Sequence, residues 1–272
     1  MKASALFCVL LLAFATEGAL QNQGTPLQFG ETFTIPSKAL NEVRRINVYK
    51  PPAWDEPADA ARPVLYMPDG GMAEDFLHVA GLVQVSVGNG SMRPVILVGV
   101  ENTQRRRDMT GPTDNPEDKK IAPVVGGSAA FRTFFRTELM PYITSRYRTT
   151  AESAIMGESL AGLFVVETLL LEPDLFDSYV AFDPSLWWNN KALLLSAAER
   201  LKSTRTRKTA VYLASSSEKE LAQLTGELAA VLKTQASPTL QSHYLPMPGE
   251  THATIYHPAA LRALRQIFAV KP

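Results

Sequence analysis

From Val64 onward the chain alternates short apolar runs with stretches of helical spacing, and few folds accommodate that rhythm. Val64 to Met67 reads as a short buried strand that ends at the turn Asp69-Gly70-Gly71, and Pro94 to Val100 is a continuous apolar run of the kind covered on both faces. Strand and helix then follow in turn. Ser153 to Met156, Tyr179 to Phe182, Ala210 to Ala214 and His243 to Leu245 read as strands. Leu160 to Leu171, Lys191 to Leu201, Glu218 to Leu232 and Pro258 to Val270 read as helices, and an earlier one spans Ala129 to Tyr147. Glu31 to Ser37 and Arg44 to Lys50 read as two edge strands. The pattern predicts an α/β protein: a mostly parallel central sheet with helices on both faces. Right-handed crossovers then place the strand C-termini on one edge, where loops build a site. The segment Glu101 to Gly127 is long and polar, which points to a functional loop beside that site. No repeat or linker is apparent, so residues 20–272 are read as one domain.

The first residues have the pattern of an export signal, with Lys2 ahead of an apolar run from Ala5 to Ala15. Small residues allow cleavage after Ala15 or Ala19. The single cysteine, Cys8, lies inside that run, so the mature chain is expected to hold neither a disulfide nor a thiolate metal site. An exported chain without cysteine favours a bacterial periplasm or exterior. Twenty-seven basic and 27 acidic residues balance, which gives nothing to attract nucleic acid or an anionic membrane. No later apolar run is long enough to span a bilayer.

The strongest local signal is Gly157-Glu158-Ser159-Leu160-Ala161-Gly162, set between a strand and a helix. A nucleophilic serine on such a turn needs small residues two before and two after it, because the chain passes close to itself; Gly157 and Ala161 meet that need. The hydroxyl would sit at a helix N-terminus, where N–H groups favour developing negative charge. A helix cap at Ser159 is the plainer alternative. A serine also needs a base. Of four histidines, His252 lies between the last strand and the last helix, where this arrangement expects the base; His257 is its rival. For the acid, Glu218 is the first choice at the end of the strand Ala210 to Ala214, with Glu220 second and Asp183 third. Ser217 and Glu220 also fit a capping box, S-x-x-E. The oxyanion donors are expected from the N–H of Leu160 and from Gly70 or Gly71. Trp187 and Trp188, on the expected site edge, are candidates to stack on an aromatic or sugar group, though core packing fits them equally. Arg105, Arg106 and Arg107 in the long loop are candidates to meet an anionic substrate.

With these residues placed, the mature chain resembles, over nearly all its length, the esterase family that includes ferric-enterobactin-type siderophore esterases and esterase D. The resemblance is carried by Pro63 to Gly71 (PVLYMPDGG), Pro94 to Asn102 (PVILVGVEN), Ile155 to Leu163 (IMGESLAGL), Phe182 to Asn189 (FDPSLWWN) and Gly249 to Ala253 (GETHA). It implies an α/β-hydrolase fold, a catalytic Ser159 and His252, an acid from the loop holding Glu218, and no metal or organic cofactor. Three positions depart from the family pattern: Glu158 where histidine is usual, Ala161 for glycine, and Asp183-Pro184-Ser185 for Ser-Pro-Ser. The last puts an extra carboxylate near the site. The expected activity is hydrolysis of a small-molecule ester through an acyl-enzyme, with siderophore-lactone-like or aryl esters as the leading substrates. Carbohydrate acetyl, feruloyl and general carboxylic esters are alternatives, and so is a non-catalytic binding protein on the same fold.

Overall fold

The computed structural model describes residues 25–52, 57, 59–202 and 207–270; the export signal and Cys8 lie outside the described residues. One eight-stranded sheet organises the chain, in the order β1-β2-β4-β3-β5-β6-β7-β8. The strands are β1 (Glu31–Ser37), β2 (Glu42–Tyr49), β3 (Arg62–Met67), β4 (Ile96–Val100), β5 (Thr149–Glu158), β6 (Ser178–Phe182), β7 (Thr209–Ser215) and β8 (Leu240–Pro246). β1 and β2 run antiparallel to their neighbours, and β3 through β8 are mutually parallel. The two strands read as edges fare differently. β1 is an edge, but β2 is interior, paired on its other side with β4 from Ile46↔Val100 to Tyr49↔Leu97. Its last four residues, Ile46 to Tyr49, are accordingly all buried, where an edge strand would alternate.

Because side chains alternate along each strand, the sheet divides the core in two. Val64 and Tyr66 face one cluster, with α3 (Ser128–Phe134), α5 (Leu160–Leu171) and α7 (Lys219–Thr234). Leu65 and Met67 face the other, built on α1 (Phe76–Gly88) and α8 (Tyr256–Ile267). Helix α5 is buried at every residue from Leu160 to Leu170, so it lies wholly inside, behind β5 and β6. The predicted helix over Ala129 to Tyr147 is present from Ser128 to Arg146, as α3, a π-helical turn at Phe135–Leu139, and α4 (Met140–Arg146). The remaining helices are α2 (Arg105–Asp108) and α6 (Trp188–Arg200). Helix α1 has no counterpart in the sequence reading.

The long segment from Glu101 to Gly127 is tied down by buried charge. Arg44, fully buried, donates to Asp108, Thr103 and the Glu101 carbonyl; Arg107 donates to Asp108 and Glu42. Trp188 Nε1 donates to the Gly111 carbonyl at 2.9 Å, closing the segment onto the start of α6.

Candidate active site

The parallel strands bring their C-terminal ends to one edge, and four of those ends meet there. β5 ends at Glu158, and the chain turns into α5 through Ser159, whose φ of 58° and ψ of −120° lie where L-residues rarely sit. Such a conformation persists only when its surroundings fix it. Here the Ser159 N–H donates to the Phe182 carbonyl at 3.0 Å and its carbonyl accepts from the Ser185 N–H at 3.0 Å. A Cβ on Gly157 would lie 2.7 Å from the Ala161 Cβ, so the alanine takes up the space that glycine leaves in the stricter form of the motif. The strand–turn–helix context expected of a nucleophile elbow is therefore present, with backbone strain as its signature.

β6 ends at Phe182, and Asp183 follows with a φ of 41°. Asp183 is fully buried. Its Oδ1 accepts the Ser216 N–H at 2.7 Å, and its Oδ2 lies 3.0 Å from His252 Nδ1. This contact differs from the sequence reading, which ranked Glu218 and Glu220 ahead of Asp183. Glu218 is exposed and begins α7, its N–H bonded to Ser216 Oγ; Glu220, also exposed, lies in the first turn. The helix starts one residue later than a Ser217 cap would place it, and no side chain caps it. Glu218 reaches His252 only through space, as a minor contributor to its charge. A buried carboxylate with a backbone donor on one oxygen leaves the other aimed at the imidazole, which an exposed glutamate cannot match.

The Asp183 hydrogen bond raises the His252 pKa above the ordinary histidine value, against the opposing effect of burial. The loop that carries His252 is fastened to the end of β7 at two points ahead of the histidine: Met247 N–H to the Ser215 carbonyl at 2.7 Å, and Ser217 N–H to the Glu250 carbonyl at 2.8 Å. The Ser159 hydroxyl contacts Ser185 Oγ at 3.4 Å in place of the imidazole. Hydrogen bonds of this kind are commonly loose in the absence of substrate. The rival His257 stands on α8 against His78, with ring centroids 5.5 Å apart.

The expected anion-stabilising groups separate on inspection. Leu160 opens α5, so its N–H has no acceptor within the helix. The Gly70 N–H donates to the Val100 carbonyl at 2.9 Å and is therefore committed to the fold. Gly71 is left, and its N–H holds Glu74 Oε2 at 2.7 Å, a carboxylate oxygen where a substrate anion could compete. Gly70 matters for its lack of a side chain: a Cβ there would lie 2.2 Å from the Gly99 Cα. Gly70→Ala is expected to lower stability by roughly 3 kcal/mol through backbone overpacking, read as a fall in the denaturation midpoint.

Trp188 is a core residue, buried and bonded to Gly111. Trp187 is half-buried and lines a cleft of about 420 Å³ with Asp118, Ile121 and Glu220. The arginines also part. Arg107 is consumed by Glu42 and Asp108, whereas Arg106 is exposed, bonded at one nitrogen to the Ile121 carbonyl, and lines a cleft of about 470 Å³ with Arg105 and Val124. Arg105, also read as a candidate for an anionic substrate, instead clamps Asp69 with two hydrogen bonds of 2.6 and 2.8 Å, and sequence reasoning gave Glu74 no role. Among the described residues no group of three metal-ligating side chains is placed to hold an ion, and no helix is long and apolar enough to cross a membrane.

Comparison with known proteins agrees with this architecture. The family model for esterases, described as "Putative esterase", matches residues 37–256. The ferri-bacillibactin esterase BesA of Bacillus subtilis is 28% identical, the match covering 88% of this chain and 92% of that protein. The structure of the BES protein from Bacillus cereus superposes with a TM-score of 0.80 at 27% identity, covering 92% of this chain and all of that one. An IroE-like serine hydrolase from Shewanella oneidensis gives 0.79 at 27%, covering 89% and 82%. With a family match across most of its length and a fold shared with those proteins, the chain belongs to this esterase family and is a carboxylic ester hydrolase of the α/β-hydrolase fold.

Proposed function

We propose that this protein hydrolyses siderophore esters through an acyl-enzyme formed on Ser159, with His252 as general base and Asp183 as the acid that orients it. The observation that carries the reading is the 3.0 Å contact from buried Asp183 to His252 Nδ1, on the same edge as the strained serine. A carboxylate on Nδ1 leaves Nε2 free to take the serine proton. Ser159 Oγ attacks the ester carbonyl, its proton passing to His252, and the tetrahedral anion is held by the N–H groups of Leu160 and Gly71. For Gly71 this requires Glu74 to withdraw. His252 then protonates the leaving alkoxide, and water repeats the sequence to release the acid.

The substrate class is supported by the relatives, whose names include a ferri-bacillibactin esterase and a siderophore enterobactin esterase. It is supported also by Arg106, a cation with donors to spare in an open cleft, and by Trp187 nearby. Guanidinium suits an anionic, planar ligand. The test is turnover of a catecholate siderophore, with and without iron, beside p-nitrophenyl butyrate. Arg106→Ala is expected to lower kcat/KM for the anionic siderophore about tenfold and to leave the neutral ester within about twofold, the size of one charge-assisted hydrogen bond. Arg107→Ala is expected to act on stability, because it frees Glu42 and Asp108 from a partner. Release of the export signal during secretion to the periplasm or exterior is part of the same reading and is checked by N-terminal sequencing of the exported protein.

A further inference from the structure

The residue before the nucleophile is a glutamate, and nothing in the reaction above uses it. Glu158 closes β5, largely buried, and its Oε1 is shut off from solvent without a hydrogen-bond partner. An unpaired carboxylate oxygen in such a place is costly. The charged and titratable groups it feels come from several elements at this edge. Asp69 and Asp75 face it from the β3–α1 connection, Asp183 from the end of β6, His252 from the loop before α8, Arg105 from α2 and Tyr256 from α8. Arg105 is bonded to Asp69, and His78 on α1 lies 3.6 Å from Asp75. Tyr256 is buried, with a hydroxyl that also lacks a partner. Glu158 thus feels three carboxylates, and Arg105, the arginine whose charge it shares, is tied to one of them. His252, able to gain a positive charge, stands at the same edge.

We propose that Glu158 is a positioning residue for His252, a second carboxylate acting through space beside Asp183, whose own proton governs how readily the imidazole accepts the one from Ser159. This rests on His252 being the base. Burial pushes the Glu158 carboxyl up, to about 7, with Asp75, Asp183 and Asp69 adding to the rise and a charged His252 opposing it. Conversely, ionised Glu158 contributes to holding the proton on His252. The sign follows. Below neutrality Glu158 keeps its proton and exerts little pull; as it ionises, it stabilises imidazolium and delays the appearance of the neutral base. The two groups therefore titrate as a pair, and the acid limb of the activity profile belongs to both.

The experiment is kcat/KM for p-nitrophenyl butyrate across pH 4.5 to 9 in the wild type and Glu158→Gln, the pH range being roughly that over which the pair titrates. Loss of the negative charge is expected to move the acid limb to lower pH by roughly one unit, with the alkaline plateau held within a few fold. A role confined to packing would change the plateau and leave the limb where it was, and that result overturns the proposal. A second measurement avoids turnover altogether. NMR titration of the His252 ring in Ser159→Ala and in Ser159→Ala/Glu158→Gln should show the imidazole pKa falling by a similar amount, and an unchanged value refutes the coupling. Undiminished hydrolysis by Ser159→Ala would sink the nucleophile assignment instead, and the ring titration would still report on Glu158 alone.

Discussion

Ser159→Ala should reduce turnover by a factor on the order of 10⁶, because removing the nucleophile of such a set costs about as much as removing the whole set. The elbow should survive the change. Its strain is held by backbone bonds, the Ser159 N–H to Phe182 and the Ser185 N–H to Ser159, and neither involves the hydroxyl. The thermal midpoint of the variant is therefore expected within about 2 °C of the wild type, corresponding to less than ~0.5 kcal/mol. Labelling by a fluorophosphonate gives the cleaner reading, since it reports the nucleophile without depending on the right ester. Wild-type protein should be modified at residue 159 and the alanine variant not at all. Equal labelling of both would move the chemistry to another residue.

The second large effect is expected at Asp183. Asp183→Asn should lower turnover by about 10⁴, because an amide in that position favours the wrong tautomer of the imidazole. Glu218→Gln should change it by no more than a few fold, given that Glu218 is exposed and has no bond to His252. The pair of variants decides between the two acids directly: a large loss in Glu218→Gln with a mild one in Asp183→Asn would reverse the assignment. The asparagine can still accept the Ser216 N–H through its carbonyl oxygen, so the turn should persist. The pH profile gives a further check. Asp183 is the largest influence raising the His252 pKa, so the acid limb of whatever activity survives should lie at lower pH than in the wild type.

Much of this could be read before any coordinates. The parallel strands announce themselves as apolar runs, because a strand covered by helices on both faces has no polar side to show. The strained turn at Ser159 was legible because so tight a passage from strand to helix demands small residues at fixed offsets from the serine. Two elements were not. Helix α1, FLHVAGLVQVSVG, carries four valines and two glycines with no charged residue apart from one histidine, a poor composition for an isolated helix. It is helical because Phe76, Val79, Ala80 and Val83 pack under the sheet against α8, a long-range cause that no local window contains. The contact of Asp183 with His252 was not foreseen because knowing where a strand ends does not say which way the next side chain turns. Glu218 sits past β7 as family experience suggests, but the backbone there points it to solvent. The φ of 41° at Asp183 turns that side chain inward. The one available signal was the departure itself, an aspartate where the family commonly has serine. Gly70 and Gly71 illustrate a finer limit, since a dipeptide cannot reveal that one N–H is spent on Val100 and the other on Glu74.

The proposed delivery of the carboxylate from the end of β6 also changes what the β7–α7 turn is free to become. That turn owes the centre one backbone donor, the Ser216 N–H, and a backbone donor survives almost any change of side chain. On that assignment Glu218, Lys219 and Glu220 take no part in the chemistry while still standing at its margin, with Glu220 on the wall of the Trp187 cleft. Descendants of this chain could rewrite those positions, by substitution or insertion, and acquire new ester preferences without first losing the ability to cleave the old ones. Where the proposed nucleophile and acid stand on two adjoining turns, joined by the Ser185 N–H to the Ser159 carbonyl, selectivity has a separate piece of chain on which to drift.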